Sequence, residues 1–78
     1  MSREELAKAV DDRRTEMEAA HAALNAARDA SGDVEGDLDA TEEQIATAQA
    51  KEQEAKTVHA EAEQAYEAAR DALANCAN

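Results

Sequence analysis

Large apolar side chains return along this chain at intervals of seven. In the first half Val10, Met17 and Leu24 share one heptad position with Arg3, and three residues further on stand Leu6, Arg13, Ala20 and Ala27. In the second half Leu38, Ile45, Glu52, His59, Tyr66 and Leu73 form one row, followed at the same offset by Thr41, Ala48, Ala55, Ala62, Ala69 and Cys76. Alternating steps of three and four place such residues on a single stripe of a helix, and their persistence over several heptads predicts the a and d positions of a coiled-coil seam.

Start and stop signals divide the pattern in two. Ser2 with Glu5, in SREE, and Thr41 with Gln44, in TEEQ, each have capping-box spacing, in which a hydroxyl and a side chain three residues on satisfy the free amides of a helix start. Between them lie the only two glycines. Gly32 suits the left-handed residue that ends a helix, and Gly36 relaxes the return. The predicted fold is therefore all-α: a two-helix antiparallel coiled-coil hairpin, with a helix over about 3–30, an acidic connection over about 31–40 and a second helix over about 41–76. At 1.5 Å per residue the arms would be roughly 42 and 54 Å long.

Folding back at the acidic segment opposes residues whose numbers add to about 72. Val10 then meets Ala62, Met17 meets Ala55, Leu24 meets Ala48, Leu6 meets Tyr66 and Ala27 meets Ile45, so in most layers a bulky group faces a small one. The expected seam is Leu6, Val10, Met17, Leu24, Ile45, Ala48, Ala55, Ala62 and Tyr66. The same register sets Arg13 against His59 and Ala20 against Glu52, titratable groups in mid-seam that either stay wet or form a polar layer. Exposed pairs at favourable spacing, Glu4 with Lys8 and Glu52 with Lys56, support the outer faces.

Composition limits how much this seam can hold. Of 34 hydrophobic residues among 78, 22 are alanine. The larger ones are Leu6, Val10, Met17, Leu24, Val34, Leu38, Ile45, Val58, Tyr66 and Leu73, with Met1 and Cys76 near the ends. Ten buried side chains contribute roughly 15 to 30 kcal/mol, against an ordering cost of order 1 to 2 kcal/mol for every residue. A hairpin so thinly filled is expected to oligomerise or to dock into a larger helical assembly.

Charge narrows the partners. The net charge is −11, and residues 31–44 carry six acids and no base. This balance argues against direct binding to nucleic acid or to anionic membranes, which call for basic patches, and favours contact with basic protein surfaces. The expected contact residues are Asp33, Glu35, Asp37, Asp39, Glu42 and Glu43. No basic-plus-apolar leader opens MSREELAKAV and no 18-residue apolar run exists, so the expected setting is cytoplasmic.

Candidate chemistry is sparse. The stretch SGDVEGDLDATE, residues 31–42, resembles an EF-hand calcium loop over twelve positions. The resemblance implies side-chain ligands from Ser31, Asp33 and Glu35, a sharp bend at Gly36, a carbonyl from Asp37, an apolar anchor at Leu38, a water-linked Asp39 and a bidentate Glu42. It departs from the pattern in having serine first, glutamate fifth and no second hand to pair with, so the plain expectation for the stretch is a solvated hairpin connection. Glu18 and His21 have the spacing with which di-iron bundles place two ligands on one helical face, but the position matching Glu18 ahead of His59 is Lys56 and companion glutamates are not evident. The histidines read as surface or seam residues, Cys76 as an inert small residue, and Ser2 and Ser31 as cap and turn. No metal, cofactor or catalytic group is expected. The expected function is a non-enzymatic structural or adaptor protein that contacts another protein or itself, with a small acidic inhibitor or nucleic-acid mimic as the alternative and calcium binding as a minor one.

Overall fold

A computed structural model describes residues 2–76; Met1, counted above among the possible interior side chains, lies outside them, as do residues 77 and 78. Two helices, α1 (Arg3–Glu35) and α2 (Glu42–Ala74), pack against each other, and the described residues include no strand. Each helix has 33 residues, or about 50 Å of rise. Their equal length lets them pair along most of a rod measuring 61 × 13 × 12 Å.

The starts follow from side-chain oxygens. Ser2 accepts the Glu5 backbone N–H at 3.1 Å. At Thr41 the box is reciprocal, its hydroxyl accepting the Gln44 N–H at 3.1 Å while the Gln44 side chain accepts the Thr41 N–H at 2.9 Å.

The end of α1 differs from expectation. The helix runs through Gly32 and stops at Gly36, whose φ of −81° and ψ of −7° are right-handed, and among the described residues none has a positive φ. Continuing the heptad explains the extension: Ser31 and Val34, the next a and d positions after Leu24 and Ala27, are buried and half-buried. Their packing outweighs the cost of about 1 kcal/mol for a mid-helix glycine. The connection is therefore only residues 36–41, tightened by Ala40 N–H donating to the Asp37 carbonyl at 3.1 Å and Asp39 N–H to Asp37 Oδ1 at 2.9 Å.

Lengthening α1 moves the register. Arg14 lies over the Tyr66 ring and His21 beside the His59 ring, pairs whose numbers add to 80 in both cases, about one heptad beyond the expected 72. The helices thus run in opposite directions, and Val10, Met17 and Leu24 come level with the neighbourhoods of Ala69, Ala62 and Ala55 rather than Ala62, Ala55 and Ala48. The layers expected between Arg13 and His59 and between Ala20 and Glu52 do not form. Arg13 is instead exposed and paired with Glu16 at 2.8 Å. Lys8 reaches Asp12 at 3.1 Å rather than Glu4, a choice between exposed partners that differ by a few tenths of a kcal/mol.

The core is slight. Val10, Ala20 and Leu24 are its buried apolar residues, joined by Ser31, and α2 buries none of its own. Leu6, Met17, Ala27, Ile45, Ala48, Ala55, Ala62 and Tyr66 are half-buried, as expected of a seam between only two helices. Leu38 is not in the seam: it stands at the apex, 102 % exposed.

Candidate functional site

At the tip, carboxylates gather because the chain reverses there with acids on both sides of the turn. Asp33, Glu35, Asp37, Asp39, Glu42 and Glu43 are all exposed. Glu42 and Glu43 occupy the first turn of α2, where the helix dipole favours negative charge. Asp33 and Glu35 occupy the last turn of α1, where it opposes it, and that turn holds no basic residue. Ion pairs among the described residues include Lys8–Asp12, Arg13–Glu16, Arg14–Asp11, Lys56–Glu52 and His59–Glu63, and none of these reaches the tip.

Two tip carboxylates have internal tasks: Asp37 accepts the Asp39 N–H within the turn, and Glu35 links the helices. Glu35 Oε1 accepts from the Ser31 hydroxyl and from the Gln49 side chain, both at 3.3 Å, which satisfies the buried hydroxyl and ties α1 to α2. Ser31, expected to be a turn residue, is thus a helical seam residue. This also bears on the twelve-residue likeness to a calcium loop, since its first five positions, Ser31 to Glu35, are helix rather than loop.

Beside the tip an open groove of about 640 Å³ runs between the helices, lined by Ala27, Ala30, Val34, Ala40, Thr47 and Ala48 and bordered by Asp37 and Lys51. Alanine makes it, because methyl groups leave the helix backbones standing above a shallow floor. Among the described residues, no helix is long and apolar enough to cross a membrane.

Halfway along the rod a second recess, about 330 Å³, is lined by Met17, Glu18, His21, His59 and Glu63. The two imidazole centroids stand 5.3 Å apart with their planes inclined at 45°, and His59 Nε2 lies 3.4 Å from Glu63 Oε1. The expected register set His59 against Arg13 and so missed this pair. Only the extra turn of α1 brings the histidines level. Two turns nearer the open end of the hairpin, the Tyr66 ring has two guanidinium groups beside it, Arg14 at 5.9 Å and Arg70 at 5.6 Å from the ring centroid. Hydrogen bonding to the Tyr66 hydroxyl, and the charge of that group once ionised, raise the Arg14 pKa above its usual value, an effect that desolvation opposes. Comparison of the chain with protein-family models, curated proteins and solved structures finds no match.

Proposed function

We propose that this chain is a non-enzymatic structural or adaptor module, a helical hairpin that works through contacts with another protein or with further copies of itself. The observation that carries this reading is excess surface. The accessible area is 5723 Å², whereas a compact chain of 8.3 kDa exposes about 4,600 Å². The radius of gyration of 17.5 Å exceeds the roughly 11 to 12 Å of a compact chain this long. Both recesses are open grooves along a slim rod, a shape suited to receiving side chains of a partner helix. Sedimentation equilibrium and thermal melts over a hundredfold range of protein concentration test self-association: a mass above that of one chain and a rising Tm are expected. A monomer with a concentration-independent Tm that also captures no partner from its source cells would end this reading.

A second reading, a small acidic inhibitor or nucleic-acid mimic that binds a basic surface, is favoured by Asp33, a last-turn carboxylate without the cross-helix hydrogen bonds that Glu35 makes. Carboxylates at a helix C-terminus cost about 0.3 to 1 kcal/mol each, and sequences give up stability in this way where a site requires it. Around the apex the acids flank the exposed Leu38, which on this reading is an apolar anchor within a charged rim. On this reading, binding to a basic partner weakens steeply between low and physiological salt, and Asp37→Lys with Asp39→Lys reduces it at least tenfold. Unchanged affinity after that charge reversal would remove it.

A further inference from the structure

We propose that His21 and His59 form a divalent transition-metal site, selective for zinc over calcium, that clips α1 to α2 at the middle of the rod. Zinc takes imidazole nitrogen at about 2.0 to 2.1 Å in tetrahedral geometry, and two imidazoles sharing one such ion have centroids about 5 Å apart. The observed centroid separation of 5.3 Å matches that spacing; sharing an ion further requires each ring to turn one nitrogen toward it. Glu18 and Glu63 line the same recess, one from each helix, and carry the oxygen donors that zinc accepts beside nitrogen. Among the described residues no three His, Cys, Asp or Glu side chains already converge as a metal-holding group, so the site is a pair of imidazoles whose remaining positions fall to one of these carboxylates on rotation, or to water. Glu63 now lies near His59 Nε2; on metal binding it exchanges that contact for the metal itself or for the other ring nitrogen, the outer-shell role common beside metal-bound histidine.

The two ligands come from different helices, and the unfolded chain does not hold them together. Metal binding therefore favours the folded hairpin. Borderline zinc suits imidazole, whereas calcium prefers sets of six to eight oxygens. The tip carboxylates and Cys76 are the competing ligands that a test must separate from the histidines.

The experiment titrates zinc chloride into the full chain by calorimetry, and repeats it with calcium chloride and with the His21→Ala, His59→Ala and Cys76→Ser variants. One zinc per chain is expected in the unmutated protein and in Cys76→Ser, with at least tenfold weaker binding in either histidine variant. Zinc at roughly tenfold over its Kd is expected to raise the Tm of the unmutated chain by about 5 °C or more, with the rise lost in the histidine variants. A readout independent of any variant is the proton NMR of the imidazole Cε1–H groups, both of which are expected to shift on zinc addition and not on calcium addition. Zinc affinity unchanged by His21→Ala, absence of saturable binding, or imidazole signals that stay in place would each overturn the site.

Discussion

At the scale of single residues, stability rests on few side chains. Leu24 is 4 % exposed and Leu38 is fully exposed, so the same truncation separates core from surface. Leu24→Ala is expected to cost about 2 to 3 kcal/mol, the lower part of the usual range because a two-helix seam can collapse onto the gap. Leu38→Ala should change stability by less than about 0.5 kcal/mol. Urea denaturation of the two variants checks this, and equal costs would show that the seam is not where stability resides. Gly32 offers a sharper case. A Cβ built there meets nothing within 4 Å, and the residue is helical, so Gly32→Ala should stabilise by about 0.5 to 1 kcal/mol and raise Tm by several degrees. The left-handed helix end anticipated from the sequence requires the opposite sign, which makes a thermal melt of this variant a direct measurement of where α1 ends.

At the scale of the elements, the register is the feature to test. In a Cys76→Ser background, His21→Cys with His59→Cys is expected to form an intramolecular disulfide faster than Val10→Cys with Ala62→Cys, because the first pair lies level and the second is about a heptad out of step. Electrophoresis without reductant reads the result, and bridging of the second pair alone would restore the shorter register. The sequence made the helices and their inward stripes legible, since the heptad rows from Val10 to Ser31 and from Ile45 to Leu73 lose exposure, while Arg3 and Leu38 at their ends do not. It left the register undetermined for a physical reason. Alanine occupies Ala48, Ala55, Ala62 and Ala69 in succession, so sliding α2 by seven residues sets Val10, Met17 and Leu24 against methyl groups again, and local packing hardly distinguishes the two alignments. The choice falls to the turn, where burying Ser31 and Val34 extends α1 past Gly32. A glycine is a strong stop signal in isolation, and here the next turn of seam prevails over it. The same slide determined which candidate sites could be foreseen: the acidic tip is written contiguously in the chain, whereas the His21–His59 recess exists only once the register is known.

At the scale of the whole molecule, the governing quantity is charge on a thin body. A net charge of −11 is spread over a rod 61 Å long, and the ion pairs Lys8–Asp12, Arg13–Glu16, Arg14–Asp11 and Lys56–Glu52 are local contacts within one helix, mostly between well-exposed side chains. Such pairs contribute at most about 0.5 kcal/mol each. Repulsion, by contrast, acts among six tip carboxylates drawn from both helices, which the folded hairpin holds closer together than the unfolded chain does. Raising ionic strength from 0.01 to 0.15 M shortens the screening length from about 30 to about 8 Å, which removes repulsion across the tip but leaves contact pairs comparatively intact. Tm is therefore expected to rise with sodium chloride over this range, by a few degrees. Neutralising one poorly placed charge, Asp33→Asn, should raise Tm at low salt by an amount corresponding to about 0.3 to 1 kcal/mol and reduce the salt response along with it. Melts of both proteins at several salt concentrations check this. A Tm that falls with salt would mean that attraction along the helices outweighs repulsion at the apex, and the tip would then not be a store of unfavourable charge for a basic partner to relieve.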